Sequence, residues 1–270
     1  MVKHAEDLIL VDREKCNRDC ICELECPFDL IYYGDDGYPR LRRAAKKHCI
    51  ACGHCVSVCP AQALDLKMLR LENCTPIDHA LQPTPEQVAQ FLKSRRSIRT
   101  FKKKPVSRED LQWMLDVARY APSAHNAQPV RWVIVNRPET IEQLTDCVVD
   151  WMEKMRLFPG VIRAWRENHD DKVLRHAPHL AVAHAPVDGE SPAADCSIAC
   201  TYFELAGHSK GVGACWAGFL MNAVEYTDQI DKLLNIPQGN RIYGALMLGY
   251  TKFRYHMIPD RNAIQADWID

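Results

Sequence analysis

CIACGHCVSVCP, residues 49 to 60, sets Cys49, Cys52, Cys55 and Cys59 at the spacing C-x2-C-x2-C-x3-C and closes the run with Pro60. Gaps this short let one tight loop aim three sulfurs at a single face of a 4Fe-4S cube, and the proline ends the loop and removes a competing backbone donor. A second run, CNRDCICELECP at residues 16 to 27, carries Cys16, Cys20, Cys22 and Cys26 before Pro27. Its first, third and fourth cysteines keep the same offsets. The second stands one residue late, and Asp19 occupies the position a cysteine would hold. Together the two runs take eight of the 13 cysteines, and they point to electron transfer.

Two rival readings compete with iron-sulfur ligation. A disulfide framework needs an oxidising compartment, and the opening MVKHAEDLILVDREK has neither an uninterrupted apolar stretch nor a cleavage signature. Zinc is the stronger rival, since C-x2-C pairs also hold a tetrahedral ion, but zinc knuckles come as separated pairs rather than as two quartets each ending in Cys-Pro.

At 270 residues and 47% hydrophobic, the chain has room for a small cluster-bound module and one larger domain with a core of its own. Lysines and arginines number 34 against 35 acidic residues, a balance that argues against a nucleic-acid or membrane-surface partner. No apolar stretch is long enough to span a bilayer. Reduced thiols and oxygen-sensitive clusters point to a cytoplasmic protein. The expected organisation is an iron-sulfur domain over residues 1–75, a linker over 76–85 marked by Pro76, Pro83 and Pro85, and a second domain over 86–270.

The second domain reads as α+β. Thr84 with Pro85 and Glu86 predicts a helix start, and Val88, Phe91 and Leu92 form its apolar stripe. Ser107 caps a second helix with Leu111, Met114, Leu115 and Ala118 on one face, ended by Pro122. Strands are expected at 132–135, 180–185, 214–219 and 243–249, with helices at about 139–157, 193–209 and 227–234. Cys196 and Cys200 lie one turn apart on an Ala-rich helix, which core packing explains.

Chemistry in this domain starts at SRRSIRTF, residues 94 to 101. Arg95, Arg96 and Arg99 with Ser97 form a dense cationic and hydroxylic group whose guanidinium forks suit phosphate oxygens, and Lys102 to Lys104 extend the charge. A charge run alone is more often a solvated face. The loop YAPSAHNAQP, residues 120 to 129, adds Pro122, Ser123, Ala124, Asn126 and Gln128, whose amides and hydroxyl can read the edge of a planar cofactor.

Two resemblances follow from these motifs. Residues 11 to 66 resemble a two-cluster bacterial ferredoxin domain. That resemblance implies crosswise ligation, with Cys16, Cys20, Cys22 and Cys59 on one [4Fe-4S] cluster and Cys26, Cys49, Cys52 and Cys55 on the other. The displaced Cys20 leaves two readings: a reshaped loop in which it still ligates, adopted here as the expectation, or a cluster altered in potential or lability. RRSIRTF and APSAHNAQP, with GVGACWAG at 211–218 and GYTKFRYHMIPDR at 249–261, resemble the FMN-dependent nitroreductase family from Pro85 to Asp270. A central, mostly antiparallel sheet flanked by helices is the fold this implies.

Carried over by residue, the resemblance puts Arg95, Ser97 and Arg99 on the FMN phosphate and ribityl chain, with Arg96 contributing backbone and Arg261 further phosphate contacts. Trp216, Ala217 and Gly218 would lie near the flavin ring. Pro122, Ser123, Asn126 and Gln128 would come from a second subunit, so the site implies a homodimer. Two departures stand out: Val130 follows Gln128-Pro129 where the family often has tryptophan, and Met257 takes a frequently basic place, which brings Arg254 and His256 forward as phosphate candidates. His125 reads equally as a proton donor or as a histidine turned to backbone, and Cys215 reads as a small apolar filler.

The implied activity is that of an oxidoreductase passing electrons between 4Fe-4S clusters and FMN to reduce an organic acceptor: a nitro compound, quinone, flavin or activated alkene. A ferredoxin or another redox donor is the implied source of electrons. The alternatives are a relay to a larger complex without catalysis, or a specialised flavin reaction such as dehalogenation. No residue is singled out as a general acid, and no GxGxxG sits in a strand-to-helix setting to mark a dinucleotide site.

Overall fold

The computed structural model describes residues 8–269. They divide into two compact units, one comprising residues up to Gln82 together with His125–Ala127, the other Pro83–Ala124 with the chain from Gln128 onward.

The N-terminal unit is built from two short antiparallel ribbons. Strand β1 (Ile9–Val11) pairs with β4 (Leu64–Leu66), and β2 (Ile31–Tyr33) with β3 (Pro39–Leu41). Single helical turns, α1 (Ile21–Leu24), α2 (Ala45–His48) and α3 (His54–Ser57), complete it. Its buried core is small: Ile9, Leu30, Ile31, Leu41, Ala45, Val56, Leu64 and Leu66, plus the thiols of Cys22 and Cys55. Three-residue strands and so few apolar side chains cannot offset the chain entropy of folding by themselves, so this unit leans on whatever its cysteines hold.

The second unit centres on a four-stranded, wholly antiparallel sheet in the order β5 (Arg131–Val135), β6 (His179–Pro186), β8 (Asn240–Tyr250), β7 (Val212–Trp216). Burial on both faces is written into β6, where every residue from His179 to Ala185 is buried. Alternation sorts its side chains: Leu180 and Val182 join the core beneath α6 (Pro138–Met155) and α9 (Gly218–Val224), whereas Ala181, Ala183 and Ala185 face α8 (Pro192–Ser209). The α8 face carries small residues because that helix lies close. A Cβ on Gly244 would meet the Cys200 sulfur at 2.7 Å, and one on Gly207 would meet Met114 at 2.7 Å. Cys196 and Cys200 are core residues there, their thiols pushed up to about 12 by burial.

Helix α4 (Pro85–Ser94) opens with a capping box between Thr84 and Gln87, and α5 (Arg108–Ala118) is capped by Ser107 and buries Leu111, Met114 and Ala118. Two elements differ from the sequence reading. The helix expected to run to 157 ends at Met155; Arg156 and Phe158 take left-handed conformations and Pro159 starts a separate helix, α7 (Pro159–Asn168). The strand expected over 214–219 stops at Trp216, because Leu220 and Ala223 bury one face of α9 at helical spacing. A further short helix, α10 (Gln229–Leu233), precedes β8.

Candidate functional site

Two thiol-lined cavities lie within the N-terminal unit. Cys26, Cys49, Cys52 and Cys55 line one of them among apolar side chains that include Ile9, Leu30 and Leu66. The other is lined by Cys16, Asp19, Cys22 and Cys59, with Tyr33 at its wall. The pairing is crosswise, since Cys26 belongs with the second run and Cys59 with the first. Burial pushes the Cys55 thiol up to about 12, its neighbours Cys52 and Cys26 adding to the shift, and burial likewise raises Cys22. Such thiols are protonated until a metal group displaces the protons. Backbone donors already face two of the sulfurs: Leu30 N–H donates to Cys26 at 3.3 Å and Ala63 N–H to Cys59 at 3.4 Å. Soft sulfur donors in an apolar surround with amide hydrogen bonds suit an iron-sulfur cube. No three His, Cys, Asp or Glu side chains among the described residues converge on a single metal ion.

In the second unit the basic run becomes the wall of a cavity of about 440 Å³. Arg95 leaves the end of α4, and the strand-like segment behind it is clamped to the sheet: Ser97 bridges Ala214, Ile98 N–H donates to the Ala214 carbonyl, and Lys102 N–H to that of Tyr250. Gly213 is required for this approach, because a Cβ there would stand 2.4 Å from Ile98. Arg95, Arg96, Lys102, Lys252 and Arg254 all line the cavity. Glu204 of α8, which also lines the cavity, pairs with Arg95 at 2.8 Å and so fixes the guanidinium. His208, one turn further on, meets Ser94 at 3.2 Å, and burial holds its imidazole below the ordinary range. Five cations around one opening fit a phosphate-bearing ligand.

Other sequence-predicted residues fall differently. Arg99 is exposed and donates to the carbonyl of Ser97, two residues back. Trp216 is 42% exposed beside buried Ala217, and Gly218 opens α9. In the loop, the Ser123 hydroxyl accepts from Gln128 N–H at 2.9 Å, and Ala124 N–H donates to the buried carboxylate of Asp195 at 2.9 Å. Asn126 belongs to the N-terminal unit, where its amide donates to the carbonyls of Ile50 and Ala51. Pro122 is exposed, and Arg261 lies on the exposed segment after β8, outside the cavity lining. Sequence reasoning missed Lys252, Glu204 and His208. The last two lie at i, i+4 on α8, but their partners Arg95 and Ser94 are over a hundred residues away in the chain. Cys215 is buried with its thiol raised by burial, as a filler would be.

The nitroreductase family model matches residues 92–250, more than half of the chain. The chain belongs to the nitroreductase family. Ahead of that domain, residues 14–64 match the 4Fe-4S dicluster domain, so this is a nitroreductase-family oxidoreductase with a ferredoxin-type domain at its N-terminus. An iodotyrosine deiodinase of Thermotoga neapolitana is 31% identical over 169 residues, 58% of this chain and 85% of that protein. One component of the Na(+)-translocating ferredoxin:NAD(+) oxidoreductase complex of Acetobacterium woodii is 36% identical over 55 residues, 19% of this chain and 16% of that protein. A nitroreductase from Bacteroides fragilis, solved with bound FMN, shares the fold with a TM-score of 0.57 at 21% identity, covering 67% of this chain and 99% of that one. No helix among the described residues of this family member is long and apolar enough to cross a membrane.

Proposed function

We propose that this nitroreductase-family member moves electrons between two 4Fe-4S clusters and an FMN, and through them reduces a small organic acceptor. The observation that carries the reading is the coexistence, in one chain, of two thiol-lined cavities and a separate cavity walled by five cations. When bound, FMN handles electrons singly or in pairs and donates hydride, while 4Fe-4S clusters handle single electrons, so the pair converts one currency into the other. In this reading Cys26, Cys49, Cys52 and Cys55 hold one cluster, and Cys16, Cys22 and Cys59 supply three thiolates to the other. Arg95, held by Glu204, receives the FMN phosphate with Lys252 and Arg254, and Ser97 lies two residues further along the chain.

A homodimer completes the site in the same reading. Val88 and Leu92 of α4 are 38% and 48% exposed, and Tyr255, Met257 and Trp268 beyond β8 are 57%, 81% and 88% exposed. Apolar surface of that extent is what a second copy covers. Loop residues Pro122, Ser123 and Gln128 would then serve the partner's flavin. A monomer by light scattering would remove this part of the reading.

The test is anaerobic reduction of the purified protein by dithionite or reduced ferredoxin, followed by a nitroaromatic, with flavin and cluster absorbance recorded separately. Reoxidation of the flavin band with turnover is expected. Cycling clusters beside a flavin that no acceptor reoxidises would overturn the reductase. The deiodinase relative supports a second reading, reductive dehalogenation, which release of iodide from an iodinated phenol would reveal.

A further inference from the structure

The two cysteine loops are copies of one local geometry, and the match runs residue by residue at a constant offset. Arg18 and Ala51 are left-handed, with φ of 60° and 51°. Two residues later Cys20 (φ 63°, ψ 5°) caps α1 just as Gly53 (φ 78°, ψ 0°) caps α3. Leu24 N–H donates to the Cys20 carbonyl, and Ser57 N–H to that of Gly53. The amide contacts to the Cys26 and Cys59 sulfurs come from Leu30 and Ala63, and Asp29 and Gln62 take φ of 51° and 50°. In this frame Cys16, Cys22 and Cys26 correspond to Cys49, Cys55 and Cys59. The counterpart of Cys52 is Asp19, and the counterpart of Cys20 is a glycine.

The side chains obey the frame. Asp19, one of whose carboxylate oxygens accepts from Ile21 N–H at 3.2 Å, is among the residues lining the cavity that Cys16, Cys22 and Cys59 share, and Cys20 is not. The Cys20 sulfur instead reaches the Arg18 carbonyl of its own loop, at 3.7 Å. Its backbone is fixed there, since Cys20 N–H donates to the Tyr33 hydroxyl at 3.1 Å while the same hydroxyl meets the Cys22 sulfur at 3.4 Å. Cys20 holds the left-handed cap that starts α1, a conformation in which a non-glycine residue bears strain.

We infer that the Asp19 carboxylate, not the Cys20 thiolate, is the fourth protein ligand of the cluster held by Cys16, Cys22 and Cys59. The inference rests on the proposed iron-sulfur loading of this unit. A carboxylate is a harder donor than a thiolate and holds iron in a sulfide cube less firmly. The Asp19 corner is therefore the one that gives up its metal: [4Fe-4S]2+ passes one electron to an added oxidant such as ferricyanide and releases Fe2+, leaving [3Fe-4S]+. The other cluster, with four cysteines, has no such corner.

The experiment compares anaerobically purified full-length protein with its C20G, C20S and D19C variants by iron and sulfide content and by EPR, before and after titration with ferricyanide. C20G reproduces the residue at the matching position of the second loop and leaves the cap unstrained. The expected result is unchanged iron, sulfide and EPR in both Cys20 variants, a three-iron signal on mild oxidation of the unsubstituted protein, and loss of that signal in D19C. Loss of one cluster's worth of iron from C20G and C20S alike, or a three-iron signal that persists undiminished in D19C, would overturn the assignment. The untouched four-cysteine cluster reports in every sample whether the unit has folded. Protein without iron and sulfide would defeat the proposed loading itself, a result distinct from iron-loaded protein in which Cys20 proves indispensable.

Discussion

The two units of this chain meet the same requirement, a rigid cage for a redox group, by opposite means. The N-terminal unit has ribbons of three-residue strands and a core that counts two thiols among its buried members. Its shape is set by loops with left-handed residues at Arg18, Cys20 and Ala51, conformations that persist in non-glycine residues only where something holds them. The second unit has continuous apolar packing on both faces of its sheet, from Leu180 and Val182 on one side to Phe203 and Leu248 on the other. Its cationic cavity is cut into a framework with an apolar core of its own on both faces of the sheet. A unit that folds around its cofactor and a unit that folds and then receives one should respond differently to the same perturbation.

Metal removal should separate them most sharply. Stripping iron with a chelator and oxidant should unfold the first unit outright, because metal binding and folding are one equilibrium in so small a core. Limited proteolysis would then cut within residues 8–82 while the second unit keeps its own thermal transition. Survival of both would erase the distinction. Next in size, Phe203→Ala removes a fully buried ring that stacks on Trp132. It should cost the second unit about 3–5 kcal/mol in denaturant unfolding, with iron content unchanged. Arg95→Ala should weaken FMN binding by about 10-fold to 100-fold, the scale of about 1.5–3 kcal/mol for a charged hydrogen bond, with a lower melting temperature in the absence of flavin as well, because Glu204 loses its partner. Flavin affinity equal to that of the unsubstituted protein would remove Arg95 from the site.

The smallest effect is on pH. Burial holds His179, His184 and His208 below the ordinary imidazole range, with Arg131 adding to the shift at His184. Folded pKa values below the unfolded value of about 6.5 mean that their contribution to stability is complete above that pH. It is lost as pH falls from there through the folded values, when the unfolded chain takes up protons that the folded one refuses. Thermal midpoints of the second unit should be level from neutral pH upward and decline below about pH 6.5. A midpoint that rises on acidification would contradict the burial argument.

How much of this the sequence showed depends on how local each signal was. The cysteine quartets, the Thr84 and Ser107 caps and the short apolar strands near 132–135, 180–185 and 243–249 depend on near neighbours, and they were readable directly. The break at Arg156–Phe158 was less visible, because apolar periodicity continues across it and only Pro159 marks the new helix. The end of β7 was obscured because Ala217 to Leu220 is apolar under either period. Glu204 and His208 were invisible for another reason: their role comes from Arg95 and Ser94, over a hundred residues away in the chain. The displaced Cys20 was legible as an irregularity, but which neighbour lines the cavity depended on a backbone conformation that spacing alone does not encode.

In the proposed function, one chain carries iron-sulfur clusters on its first unit and a flavin on its second. Metal, sulfide and flavin analysis of anaerobically purified protein tests it most directly. Iron and acid-labile sulfide in equal amounts, together with FMN released on denaturation, is the predicted result. Zinc without sulfide, or iron-loaded protein with no flavin and no capacity to bind it, would contradict the account.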